Sequence, residues 1–362
     1  MIRRIGKFFY YIFLLLSVMA AIGMVLCVYS THLSPARYPI VSSLGLFFPF
    51  FLAINIVIFV FWLMVKWRTA IVQLVAFICC WTSVRAYLPL NIPQNPPESS
   101  IHIMSFNTQS FGIYKKGDIN KNGIQQYIKN SGADIVCLQE VIRNFEDKDY
   151  KLQEVYPYSC ITIVPNRSRL AIFSKYPILD EEIIDYPTKS NSSVVYHLLI
   201  DGDTVSVINN HLESYKLKID EKESYKDMIK EKDLKKRDSK ILLGKINVAD
   251  SLRALQTDII DKIVKRELKK HESMIMCGDF NDTPVSYVLH RFTQSLDDAF
   301  AESGNGLSFT YHDNWMYFRI DHILISPNFK SYASKVDKSI KLSDHYPIHT
   351  YIKGTSINSP FK

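Results

Sequence analysis

The sequence predicts two packed β-sheets covered by helices, preceded by a helical membrane region. Three observations carry this reading. The first hundred residues are dominated by long apolar runs, whereas the rest has the mixed composition of a soluble domain. From residue 101 onward, short runs rich in Ile, Val and Phe recur and mostly end in polar residues, as core strands do. Between them lie fewer stretches of helical periodicity, which suits sheets packed together with helices outside.

The membrane region is read over residues 1–90. Phe8 to Tyr29 is uncharged and matches the roughly 20 residues needed to cross a bilayer. It exceeds the roughly 7–15 residue apolar stretch of a signal peptide. A second run covers 44–65 with Pro49 inside it, and a third covers 70–88 and carries Gln73 and Arg85. Arg3, Arg4, Lys7, Lys66 and Arg68 flank one side of these runs, against Arg37 and Arg85 on the other. Basic residues favour the cytoplasmic face, so the N-terminus is expected in the cytoplasm. Three spans then put the C-terminal domain outside the cell membrane; if the third run does not span, the domain falls back inside. Residues 91–100 are a proline-rich polar linker, 101–354 the catalytic domain and 355–362 a tail.

Charge narrows the partners. Residues 1–100 hold seven Lys and Arg against Glu98 alone, so they carry +6 of the chain's +7. The remaining +1 gives the soluble part no bulk basic field for capturing nucleic acid. Between Ser214 and Lys240 ten basic and seven acidic residues form a charge-dense segment, read as a solvated helix or loop. The six cysteines have neither ligand-like spacing nor a disulfide framework; Cys137 and Cys277 are read as small core hydrophobes.

The strand runs are Ile101–Phe106, Asp134–Leu138, Leu170–Ser174, Val194–Ile200, Thr204–Ile208, Ser273–Cys277, Ile320–Ile325 and Tyr346–Ile352. Asp201-Gly202-Asp203 between the fourth and fifth marks a hairpin. Leu252, Leu255, Ile259 and Ile263, with Ile260, Val264 and Leu268, make a helical stripe capped at Asp250 or Ser251. Gly123–Asn130 reads as a shorter helix.

The strand ends gather Asn107, Glu140, Asn209, His211, Asp279, Asn281, Asp321, Asp344 and His345. Carboxylate and amide oxygens suit Mg²⁺, a hard cation that keeps several waters. Histidines beside them can bond phosphate oxygens or move protons. In Cys277-Gly278-Asp279-Phe280-Asn281-Asp282 a buried strand ends in a carboxylate and an amide able to hold a water against phosphorus; the same pattern also makes ordinary turns.

Six motifs stand in order: Ser-Phe-Asn107, Leu-Gln-Glu140, Asn-Asn-His211-Leu-Glu, Gly-Asp279-Phe-Asn281, Arg-Ile-Asp321-His and Ser-Asp344-His345-Tyr-Pro. This set resembles the endonuclease/exonuclease/phosphatase superfamily from about Ile101 to Ile352. That group includes deoxyribonuclease, neutral sphingomyelinases and inositol-polyphosphate 5-phosphatases. The resemblance implies a four-layer αββα sandwich and a Mg²⁺-dependent hydrolase, with Mn²⁺ as a substitute. It implies Glu140 as the main metal ligand, with Asn107 close to the metal and Asp344 able to assist. His211, with Asn209 and Asn281, would contact phosphate. Asp279 would activate the water, and Asp321 or Asp344 would orient His345; either Asp279 or the carboxylate–His345 pair would be the base. His322 is read as structural, and Arg169 as an exposed structural arginine.

Gln109 stands where abasic-site enzymes carry aspartate, and Asp282-Thr283-Pro284 departs from their pattern. The expected protein is therefore a membrane-anchored phosphoesterase acting on a lipid or small surface phosphoester. The alternatives are a tethered nuclease acting on DNA or RNA, and a non-catalytic phospholipid- or phosphate-binding module.

Overall fold

The computed structural model describes residues 2–113, 118–142, 151–164, 168–188, 191–215, 236–313 and 316–355. Most of the charge-dense segment and all but the first residue of the tail lie outside these residues.

The strands are β1 (Ile101–Asn107), β2 (Ile135–Gln139), β3 (Tyr158–Thr162), β4 (Leu170–Ser174), β5 (Ile178–Ile184) and β6 (Ser192–Ile200). They continue as β7 (Asp203–His211), β8 (Met274–Asp279), β9 (Asp297–Asp298), β10 (Asp321–Ile325), β11 (Phe329–Val336) and β12 (Ile348–Gly354). They form two mixed six-stranded sheets, β11-β12-β1-β2-β4-β3 and β5-β6-β7-β8-β10-β9. Each sheet has one parallel pair near its centre, β1 with β2 and β7 with β8.

The inner faces pack on each other through Ile103, Ile135, Cys137, Ile172, Tyr196, Val207, Cys277 and Ile323, all essentially without solvent exposure. The outer face of the first sheet is covered from α5 (Asp118–Asn130), through Ile124 and Ile128. The outer face of the second is covered from α6 (Lys236–His271), through Ile260 and Val264. Burial is continuous along the inner strands, so the residues that do not face the opposite sheet face a helix; the result is the expected αββα sandwich.

The hairpin at Asp201-Gly202 has two positive-φ residues, +51° and +93°, between the paired Ile200 and Asp203. That backbone hand matches the twist of the flanking strands. The α6 helix begins well before the expected cap: Asp250 lies inside it and ion-pairs with Arg253.

The N-terminal region folds as α1 (Ile2–Ser30), α2 (Phe48–Lys66), α3 (Ile71–Cys79) and α4 (Trp81–Tyr87). Two segments, Lys7–Ser30 and Pro39–Cys79, are long and apolar enough to cross a membrane, and only 28% and 22% of their most apolar windows are buried. Large apolar side chains such as Leu15, Met19, Val57, Met64, Ile71 and Ile78 point outward.

The expected third span, 70–88, is not one helix. It breaks at Cys80 into pieces of nine and seven residues, neither of which reaches the roughly 20 a bilayer requires. Polar side chains knit the bundle internally. Asn55 Nδ2 donates to Ala20 O at 2.9 Å, Gln73 Nε2 to Ser17 O at 3.0 Å, and Trp62 Nε1 to Ser17 Oγ at 2.9 Å. Gln73, out of place in an apolar run, is thus buried and paired against α1 on one side of its amide.

The bundle is seated on the sandwich. Val285, three residues past Asp282, packs among Met24, Cys27, Phe48 and Cys80. Ser43 Oγ donates to Asp250 Oδ2 at 3.0 Å, Arg319 donates to Ala86 O, and Asn91 Nδ2 donates to Gly304 O at 2.7 Å. The linker therefore starts tied to the domain at α8 (Ala299–Ser303), which follows α7 (Tyr287–Phe292).

Candidate active site

Strand direction assembles the site. The parallel pairs β1/β2 and β7/β8 end at the same edge of the sandwich, bringing Asn107, Glu140, His211 and Asp279 there. Antiparallel β10 starts at that edge, with Asp321 opposite Asp279. Antiparallel β12 starts there too, and Asp344-His345 lead into it. His211 and Asp279 are register partners on adjacent strands.

The side chains converge across the gap between sheets. Asn107 Nδ2 donates to Asp279 Oδ2 at 3.0 Å and lies 3.4 Å from Glu140 Oε1. His211 Nε2 is 3.6 Å from Glu140 Oε1 and 3.8 Å from Asp279 Oδ2. His345 Nε2 is 3.7 Å from that same Asp279 oxygen, and its Nδ1 is 2.8 Å from Asp321 Oδ2. Asp279, Asp321 and His345 also form a group whose ligating atoms lie within 4.8 Å of one another. The choice left open by sequence resolves here: Asp321, not Asp344, holds His345.

Electrostatics sort these groups. Burial pushes the Asp279 carboxyl up to about 6, with Asp321 adding to the rise and His345 and His211 opposing it. Burial alone would lower His345, but Asp321, Asp279 and Asp344 raise it to about 10, so it is an imidazolium at neutral pH. Burial lowers His211 below the usual histidine value. Partial burial and then the nearby charge of Asp344 raise Glu140, whose side chain remains 38% exposed at the rim. Two carboxylates repelling each other at an open rim, beside the amide of Asn107, are an oxygen donor set that a hard divalent cation would relieve.

Strain collects at this edge. Of the ten non-glycine residues with positive φ among the described residues, Gln109, Ser110, Phe111, Glu140 and Asn281 line the loops around the cleft. Such conformations cost about 1–3 kcal/mol each and persist where surrounding structure enforces them. Here Glu140 O accepts from Ser110 N at 2.7 Å, and Asn281 N donates to Asp279 Oδ1 at 2.8 Å.

Two expected phosphate contacts are not presented to the cleft in the expected way. Asn209 is fully buried: its Oδ1 accepts from Gln139 Nε2 at 2.7 Å, and its Nδ2 reaches Leu138 O and Ala171 O at 3.1 Å. It ties one sheet to the other, because its place on β7 faces inward one full pleat before His211. Asn281 uses its Nδ2 on Leu212 O at 3.0 Å, which holds the β7 end against the loop after Asp279.

Asn209→Ala should therefore cost about 2–4 kcal/mol by stranding buried partners, measured by urea unfolding, with KM nearly unchanged. A KM rise without loss of stability would return Asn209 to phosphate binding.

Some positioning groups escaped the sequence reading. Ser168 Oγ is 2.8 Å from His211 Nδ1, and Thr310 Oγ1 accepts from the amides of Ile320 and Asp321 at 3.0 Å. Ser343 Oγ donates to Asn107 O at 2.8 Å. None carries a local signal, since each acts through a loop brought near by tertiary structure. His322 is structural as expected, with Nε2 3.0 Å from Asp282 O.

A two-sheet sandwich with a strand-end cleft of carboxylates, amides and histidines defines a class of phosphoester hydrolases. Residues 104–345 match the model of the Endonuclease/Exonuclease/phosphatase family, and the chain belongs to that family. Residues 10–87 match a separate Domain of unknown function (DUF8431). No curated protein matches the chain by sequence.

Solved structures share the fold. The human Nocturnin catalytic domain with bound sulfate is 17% identical at a TM-score of 0.53, covering 71% of this chain and 94% of that one. Truncated TDP2 from Caenorhabditis elegans is 18% identical at 0.52, covering 70% and 97%. A family protein from Bacteroides thetaiotaomicron is 18% identical at 0.50, covering 72% and 98%.

Proposed function

We propose that this chain is a membrane-anchored, Mg²⁺-dependent phosphoesterase whose cleft hydrolyses a lipid or small surface phosphoester. The observation that carries the reading is the convergence of Asn107, Glu140, His211 and the His345–Asp321 pair on Asp279, within 3.8 Å of it or of one another.

Glu140 and Asn107 would hold the cation, with Asp344 beside them. When bound, it would neutralise charge developing on phosphate oxygens. Asp279 accepts the proton of the attacking water; Asn107 and the Asn281 amide fix its carboxylate. His345 does not serve as the base, because its flanking carboxylates keep it protonated. It donates from Nε2 to the charged transition state, with Asp321 fixing Nδ1. Ser168 Oγ engages His211 Nδ1, which leaves Nε2 on the cleft side to donate to a phosphate oxygen in the Nε2-protonated tautomer.

Three features support the anchor. Two N-terminal segments are apolar enough to cross a bilayer. Lys7, Lys66 and Arg68 sit at the end of the bundle away from Val285 and Asp250. The short α3 and α4 lead the chain back toward Arg319 at the sandwich.

The test uses the full chain in detergent, with Mg²⁺ or EDTA, against a phosphomonoester, a phosphodiester, sphingomyelin micelles, lysophospholipid micelles and plasmid DNA. Mg²⁺-dependent turnover of a lipid or small ester with intact plasmid is expected, and Mn²⁺ should restore it after chelation. Plasmid cleavage alone would make it a tethered nuclease; inertness toward all substrates would make it a binding module.

The pH profile follows from the two shifted groups. Asp279 must be ionised to take a proton, so kcat/KM should rise through about pH 6. His345 must stay protonated, so it should fall through about pH 10. A bound cation favours the carboxylate and moves the acid limb lower. His345→Gln should erase the alkaline limb; a limb unchanged in that variant would remove His345 from the transition state.

A further inference from the structure

We propose a second metal site, distinct from the cleft, in which His197, Glu267 and His271 bind a first-row transition metal such as Zn²⁺. His197 lies on β6, and Glu267 and His271 are one turn apart near the C-terminal end of α6, so both helix residues face the sheet. His197 Nε2 is 2.8 Å from Glu267 Oε2, and His271 Nε2 is 4.0 Å from the same oxygen. The three ligand atoms all lie within 4.8 Å of one another. Around a tetrahedral zinc with bonds of roughly 2.0–2.2 Å the ligand atoms lie about 3.3–3.6 Å apart, so the His197–Glu267 contact would open by several tenths of an ångström as the ion enters and His271 would close in.

The surroundings are those of a built ligand set. His197 Nδ1 bonds Asp180 Oδ1, which fixes the ring and directs Nε2 inward. A carboxylate behind a ligating histidine commonly plays this part. Glu267 is 1% exposed and held on both oxygens: Ser206 Oγ donates to Oε2 at 2.9 Å, and Arg266 Nε to Oε1 at 2.8 Å. His271 Nε2 is buried and has no hydrogen-bond partner. Asp180, Glu182 and Glu267 outnumber Arg266 and Lys270 among the charged groups at this spot, so a divalent ion enters a net acidic site.

Two imidazoles and one carboxylate select zinc over magnesium. The site cannot be the catalytic one. Ser206, which touches Glu267, is five residues before His211 on β7, or roughly 17 Å along the strand. The metal would pin the end of α6 to β6; the middle of the helix reaches Ser43 and Asp282 through Asp250 and Arg253.

The test titrates Zn²⁺ into the full-length protein in detergent, with Mg²⁺ in large excess to fill the cleft. Calorimetry and melting temperature are read for the parent, His271→Ala and His271→Cys. Loss of a supporting carboxylate alone weakens metal sites about 10–100-fold, so loss of the direct ligand in His271→Ala should cost at least ~100-fold in affinity. His271→Cys, which supplies a thiolate, should recover most of it. Mg²⁺-dependent turnover should be unchanged in both variants. Zn²⁺ binding and melting temperature indifferent to position 271 would reduce the cluster to an ion-pair network and overturn the proposal. So would the absence of a Zn²⁺ equivalent in the parent.

Discussion

Asp279→Asn should reduce kcat by about 10³-fold or more while KM stays within a few-fold and the fold stays intact. General-base catalysis alone contributes about 10²–10⁴-fold, and this carboxylate also aims the water. Asparagine keeps the shape and one acceptor oxygen, which can serve either Asn107 Nδ2 or Asn281 N, now 3.0 Å and 2.8 Å from the two carboxylate oxygens. It removes a buried charge whose protonation is already eased by burial, which offsets the one hydrogen bond lost, so melting temperature should stay close to the parent's.

The pH profile separates the competing assignment. If Asp279 is the base, the acid limb near pH 6 disappears together with the rate. If the His345–Asp321 pair were the base, Asp279→Asn would keep most of the rate and His345→Gln would abolish it. Activity within tenfold of the parent would sink the proposed mechanism.

The interior of the fold was legible and its rim was not, for a physical reason. Every strand read from sequence, from Ile101–Phe106 to Tyr346–Ile352, lies inside a sheet. The four strands not read, β3, β5, β9 and β11, are the four sheet edges. An edge strand packs on fewer neighbours and is kept polar to discourage pairing with other chains. Asp180, Glu181 and Glu182 in β5, and Lys330 and Lys335 in β11, carry that signature and dilute the apolar alternation. The start of α6 was hidden in the same way, because its first turns belong to the charge-dense stretch and its apolar stripe begins only where it meets β7 and β8. The third membrane run misled because composition does not report a break, and Cys80 carries no breaker signal.

At the site, residues that end strands were legible because a strand end fixes where a side chain goes. Asn107, Glu140, His211, Asp279 and His345 all converge as their positions implied. What sequence left open was pairing. Asp344 stands beside His345 in the chain and Asp321 stands 24 residues before it, and only the β8–β10 register, which puts Asp321 opposite Asp279, makes the distant one the partner. Asn209 misled for the opposite reason. It precedes His211 by one pleat and shares its face, yet that step moves it from the cleft into the seam between the sheets.

Gly278→Ala should cost at least about 4 kcal/mol, among the largest effects expected of one methyl group in this chain. The strand run read from sequence stops at Cys277, but the structure keeps Gly278 inside β8, between Asn210 of β7 and His322 of β10. Its φ is +134°, which disfavours any side chain. A Cβ there would sit 2.0 Å from Asn210 O and 2.7 Å from Asn210 N. Those atoms belong to an interior strand and cannot retreat without parting the parallel pair that carries His211 and Asp279. The methyl group therefore trades the β7–β8 ladder against the geometry of the site. In a domain of ordinary stability, about 5–15 kcal/mol, the variant should melt at least roughly 8 °C lower or fail to accumulate as soluble folded protein. Gly202→Ala is the control: it also has positive φ, +93°, but nothing lies within 4 Å of its added Cβ, so it should lose only the backbone strain. Equal melting temperatures for the two variants would mean that β7 can yield at Asn210, and that the close approach beneath the catalytic pair is not what fixes it.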